Sequence, residues 1–219
     1  MPLLLAAQAP GVSPGWKWVA ALIALGTVAL VFGVVAYLNR KNHGLKELVQ
    51  GADGVPSTSK FQWLVWLVAI LFSYVALWVL RAKEGDYSAI QDVPTNVVTV
   101  LAFSSATMAG AKGIKVSQVQ AHKAPRADPA NPPPGGLLKD DTGIPELAKI
   151  QMIGFTFVAI GIFLATVAHE IATSKASTLG LPDIDTTLMV LMGISQGSYL
   201  AKKVVPASLG APQPPAANA

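Results

Sequence analysis

The sequence predicts an all-α integral membrane fold of five transmembrane helices: one N-terminal anchor followed by two parallel-repeat helical hairpins. Three observations predict it. Hydrophobic residues fill 52% of the 219 positions and charged residues only 13%, about half the charge share of a soluble domain, and the mean hydropathy is +0.49. Five apolar runs contain no Asp, Glu, Lys or Arg. Polar motifs at the start of the second run and along the third return, at nearly constant spacing, in the fourth and fifth.

The elements follow in order. Met1–Gly15 has no basic start and no full apolar core, so it reads as a short external arm. Val19–Leu38 is twenty residues, about 30 Å as a helix, with Trp16, Trp18 and Tyr37 placed as an interfacial belt. Phe61–Leu80 and Ile150–Ala168 are equally clear spans. Thr95–Ala111 and Thr186–Ala201 are shorter and more polar; such segments suit the inside of a bundle, where small and hydroxyl side chains meet other helices. Gly44–Gln50 places Leu45, Leu48 and Val49 on one side of a short surface helix. The predicted division is 1–57 for the arm, anchor and basic loop, 58–116 for the first hairpin and 117–146 for a Pro/Gly-rich linker. Residues 147–205 make the second hairpin and 206–219 a disordered Pro/Ala-rich tail.

Five spans put the termini on opposite sides. One side then holds Arg40, Lys41, Lys46, Lys60, Lys112, Lys115, Lys123, Arg126, Lys139, Lys149, Lys202 and Lys203; the other holds only Lys17, Arg81, Lys83 and Lys175. The positive-inside rule places the N-terminus outside and the C-terminus in the cytoplasm of a bacterial inner membrane. The net charge of +4 is thereby a matter of topology, and nucleic-acid binding is excluded as its explanation.

The repeat is carried by polar positions. Lys60 and Gln62 correspond to Lys149 and Gln151, an offset of 89; Asp92, Ser104, Thr107 and Lys112 correspond to Asp183, Ser195, Ser198 and Lys203, an offset of 91. The two-residue change falls in a hairpin loop, where insertions are tolerated. Both copies begin on the basic side, so they are expected to be related by a pseudo-two-fold along the membrane normal. The Lys-x-Gln helix start and the ending Gly193-Ile-Ser-Gln-Gly-Ser-Tyr199 resemble bacterial multi-pass membrane proteins of unassigned function with a C-terminal Gly-Ile-Ser-x-x-Ser-Tyr helix. The resemblance implies a fold and a bacterial source and no activity.

Enzyme constellations are missing. Zero cysteines exclude thiolate metal sites and cysteine nucleophiles, and His43, His122 and His169 lack metal-ligand spacing. No nucleophile elbow, phosphate loop or dinucleotide fingerprint occurs, so neither enzyme, cofactor nor metal is expected. Attention falls on Ser104 and Thr107, repeated as Ser195 and Ser198. They read either as a hydroxyl-lined path for a cation or small polar solute, or as helix-packing groups. Asp92 and Asp183 read either as an acidic outer mouth or as helix caps. Gln196, costly at that depth, must find a partner in the bundle. Two functions follow from these pairs of readings. One is an oligomeric channel or channel-like subunit; the alternative is a non-catalytic scaffold or accessory subunit recruiting cytoplasmic partners through its loop and tail. The partners expected are the lipid bilayer, further copies of the chain and a cytoplasmic protein.

Overall fold

The computed structural model describes residues 13–40, 44–51, 54–88, 90, 93–120, 135–140, 142–175 and 178–204. Among them lie five long helices and one short one: α1 Pro14–Leu38, α2 Lys46–Val49, α3 Thr58–Lys83, α4 Thr95–Gln120, α5 Leu147–Thr173 and α6 Thr186–Val204. Four of these, α1, α3, α4 and α5, are long and apolar enough to cross a membrane. The fold is all-helical and suited to a bilayer. Large apolar side chains such as Leu22, Leu30, Leu38, Phe157 and Ile194 point outward, which an aqueous surface does not tolerate over such an area.

The helices outrun the uncharged segments that mark them in the sequence. α4 continues past Ala111 to Gln120, about 39 Å in all, so the start of the expected linker at 117 is helical. α6 has 19 residues, about 28 Å, and is not among the helices long and apolar enough to cross. The expected surface helix in Gly44–Gln50 is the single turn α2. The tail 206–219 and linker residues 121–134 lie outside the described residues.

α3, α4, α5 and α6 form a four-helix bundle in which α3 packs on α4 and α5, and α6 packs on α4 and α5. Lys60 at the start of α3, Lys149 at the start of α5, Lys115 in α4 and Lys203 at the end of α6 line one cavity. α3 and α5 therefore run in one direction, and α4 and α6 return. At the opposite end the Asn96 amide of α4 donates to Asp183 and to the Ile184 carbonyl just before α6 (3.1 and 3.0 Å). α1 lies outside the bundle against α3. Its buried residues are Ala20, Ala24 and Val28, four apart on one side, and their small size lets the two helices approach closely. Lys83 over the Trp16 ring, 5.6 Å from its centroid, joins the end of α3 to the start of α1.

α3 stops at a Schellman turn. Gly85 takes φ +87°, a left-handed conformation that glycine adopts without a Cβ clash. The Asp86 N–H then reaches the Arg81 carbonyl and the Gly85 N–H the Ala82 carbonyl. The Arg81 guanidinium returns to the Asp86 carboxylate (Nε–Oδ2 2.9 Å). Bonds from the Ser88 hydroxyl, and then from Arg81, hold the Asp86 carboxyl down at about 2, so this turn keeps its charge pair through any physiological pH.

The core is built around α3. Trp66 is fully buried and meets the Phe163 ring of α5 edge-on, with centroids 6.1 Å apart. Among the described residues its indole N–H has no hydrogen-bond partner, and neither end of the buried Gln62 amide one turn earlier has one. Trp63, by contrast, donates to the Ser105 hydroxyl of α4 at 2.9 Å. An unpaired buried amide is a net cost. Gln62→Leu is expected to raise stability by about 1–3 kcal/mol in denaturant unfolding of the micelle-solubilised protein. A loss of stability instead would mean that the amide holds a buried water.

Candidate functional site

Two polar assemblies stand out against this apolar frame. The first lies between α4 and α6 in mid-bundle. The Thr107 hydroxyl donates to Gln196 Oε1 at 2.9 Å, and Gln196 Nε2 donates to the Ser104 hydroxyl at 3.4 Å. All three side chains are buried within one chain. Ser104 and Thr107, one helical turn apart on α4, bracket the amide so that both of its ends are used. Ser195, also buried, donates to the Leu191 carbonyl one turn back, at 2.9 Å.

Ser104 and Thr107 thus meet Gln196 in one buried helix contact and Ser195 is buried on α6, whereas Ser198 is on the exposed side of α6. The spacing match between Thr107 and Ser198 does not carry over to burial. α6 is turned so that Met192, Gln196 and Tyr199 face inward. Asp183 is exposed and tied to Asn96 and to the Ile184 N–H. The cap of α6 is Asp185, whose carboxylate accepts from the Thr187 and Leu188 N–H groups (2.9 and 3.1 Å). Asp92 lies outside the described residues. No cluster of three metal-ligating side chains occurs among the described residues.

The second assembly is at the lysine-rich end. The chain entering α3 folds back in an antiparallel bridge between Gln50 and Pro56, and the chain entering α5 does the same between Lys139 and Pro145. Each contact recurs 89 residues later. Gly51 N–H to Val55 carbonyl (2.7 Å) matches Asp140 to Ile144 (2.8 Å), and Gly54 to Gly51 (3.1 Å) matches Gly143 to Asp140 (3.2 Å). Gly54 and Gly143 both adopt positive φ, 76° and 88°, which the tight reversal requires. Lys60 then donates to the Gln50 carbonyl and Lys149 to the Lys139 carbonyl. In both places a lysine in the first turn of a long helix clips the loop that precedes it.

The signal for this clip is present in the sequence and extends the Lys-x-Gln match upstream. It reads Gly54-Val-Pro56 and Gly143-Ile-Pro145, each followed after three residues by lysine. Proline bars helix before it and glycine supplies the left-handed corner. The second clip is reinforced electrostatically. Buried Glu146 lies 3.4 Å from Lys149 and 3.2 Å from Lys202, joining the start of α5 to the end of α6.

The fold and these assemblies define the class: a membrane-embedded helical bundle with a closed polar contact in its middle and a lysine-rich end. No family model, curated protein or solved structure matches this chain.

Proposed function

We propose that the chain is a non-catalytic integral membrane scaffold or accessory subunit, not a channel. The observation that carries this reading is the Ser104–Gln196–Thr107 cluster. Its hydroxyls are engaged inside a single chain, where they favour helix packing over contact with a permeating ion. In this reading α6 is a fifth crossing, shielded by α4 and α5. The N-terminus lies outside and the lysine-rich end in the cytoplasm of a bacterial inner membrane, as the distribution of basic residues indicates. Residues 58–116 and 147–205 are parallel repeats; the twice-built clip at an offset of 89 supports that relation. Residues 117–146 and the tail then serve as cytoplasmic recruitment segments for a protein partner.

The absence of native cysteine permits a clean test. Single cysteines at Ser104, Thr107 and Ser195 are expected to resist water-soluble thiol reagents in the assembled protein, while Ala219→Cys reacts only after the membrane is opened. Rapid labelling at Ser104 and Thr107, together with cation flux in reconstituted liposomes, would overturn the scaffold in favour of a channel. Labelling of the tail from outside intact cells would reverse the orientation.

A further inference from the structure

The helices that open the two hairpins are not equally covered. α1 lies along α3, and its Leu25 and Val28 surround one apolar groove together with Val65, Val68, Ala69 and Phe72 of α3. No residue of α3 from 61 to 80 is exposed. The loop contacts that precede α3 recur 89 residues later before α5. The same offset carries those four α3 positions to Gly154, Phe157, Val158 and Gly161. All four are exposed, Phe157 and Val158 to 52% each. Among the described residues, the side of α5 equivalent to the α1-covered side of α3 is bare.

Lipid does not account for the make-up of this face. Glycine inside a helix costs about 1 kcal/mol relative to alanine. Fluid acyl chains return nothing for the missing side chain, whereas a second helix gains a close approach. A Cβ added at Gly154 or Gly161 meets no atom within 4 Å, so packing inside the chain does not require either glycine. α1 has a matching face on the side turned away from α3. Its buried residues are Ala20, Ala24 and Val28, while Leu22, Gly26, Ala29, Leu30 and Gly33 are exposed. Gly26 and Gly33 also stand in open space. The start of α1 meets the end of α3 at Trp16 and Lys83, so the two helices run antiparallel. A rotation about the membrane normal keeps the direction of every helix, and α1 of another copy therefore meets α5 antiparallel too.

We infer that a second copy of this chain docks on α5 through the outward face of its α1. The pairing is reciprocal, with each α1 held between its own α3 and the α5 of the other copy. The second hairpin thereby receives from a neighbour the helix that the first hairpin has within the chain. The docking rests on the repeat reading of residues 58–116 and 147–205, and is independent of the choice between scaffold and channel. Val28 shares its groove with Val68 and Ala69, so the repeat sets Ala29 of the docked helix at the level of Phe157 and Val158.

The test uses the full chain in phosphatidylcholine liposomes, where the lack of native cysteine allows directed cross-linking. Copies carrying Ala29→Cys are mixed with differently tagged copies carrying Val158→Cys and oxidised, and the mixed dimer is read on a gel. The expected result is a mixed dimer that falls at least tenfold when both copies also carry Gly154→Leu/Gly161→Leu. It should persist in Gly193→Leu/Gly197→Leu, which fills equally open positions on α6. The unfolding midpoint of the Gly154→Leu/Gly161→Leu chain should not drop, because leucine is the better helix former and its Cβ enters open space. Linking of Ala29→Cys to Ala165→Cys, two turns along the same exposed face, in place of Val158→Cys would uphold the docking and overturn the repeat register. No mixed dimer with either position, at any protein-to-lipid ratio, would leave the face to lipid and overturn the inference. A mixed dimer indifferent to the α5 leucines, or lost only with those on α6, would overturn it as well.

Discussion

Replacing Trp66 by Ala is expected to lower the stability of the bundle by about 3–5 kcal/mol, the range for emptying a fully buried aromatic site. Trp66 is the largest completely buried side chain among the described residues, and it fills the space between α3 and α5 against Phe163. In a bilayer the loss is one of packing, because lipid tails are as apolar as the core and helix association rests on close contact. Trp66→Phe is the informative companion. The indole N–H has no partner, so shortening the ring without emptying the site should cost less than about 1.5 kcal/mol. Unfolding in mixed detergent micelles measures both. Equal losses for Phe and Ala would show that the N–H matters and that the site is not simply packed.

Lys149→Met should rank second, at about 3 kcal/mol, the lower end for breaking a buried ion pair by removing one partner. The substitution withdraws the ammonium from Glu146, 8% exposed at its side chain, and from the Gly136 and Lys139 carbonyls that it clips. Lys202 remains beside the carboxylate and moderates the loss. Adding Glu146→Gln to Lys149→Met should recover part of the stability by removing the stranded charge. Lys202→Met, at a side chain 60% exposed, should cost below about 1 kcal/mol. A Lys149→Met variant as stable as Lys202→Met would mean that the clip does not fasten α5 to its loop.

The positions of the helices were legible because they depend on short stretches of chain. An uncharged run such as Phe61–Leu80 declares a helix wherever it is placed in a bilayer, since every backbone group must be bonded internally. Their ends were less legible. Lys112 and Lys115 stop the apolar run of α4, yet the helix continues to Gln120, because lysine is a good helix former once the chain has left the apolar layer. The polar side chains were legible as a set and not as an arrangement. Gln196 needed a partner on energetic grounds alone, and Ser104 and Thr107 were marked by their spacing. Their meeting required the rotation of α6 about its own axis, which Met192 and Tyr199 settle by packing inward.

The sequence by itself determined that this is an apolar, all-helical chain suited to a membrane, and which stretches hold its long helices. It also carried the two Gly-x-Pro loops that turn into α3 and α5. These are local properties, set by hydropathy, by the left-handed freedom of glycine and by the missing N–H of proline. Only the tertiary structure decided that Ser198 faces outward while its spacing equivalent Thr107 bonds Gln196, that Gln62 is buried without a partner, and that lysines scattered from position 60 to position 203 surround one cavity. Those outcomes depend on how four helices rotate and cross. A one-residue turn of a helix, about 100°, moves a side chain from the bundle interior to lipid without changing any pattern along the chain.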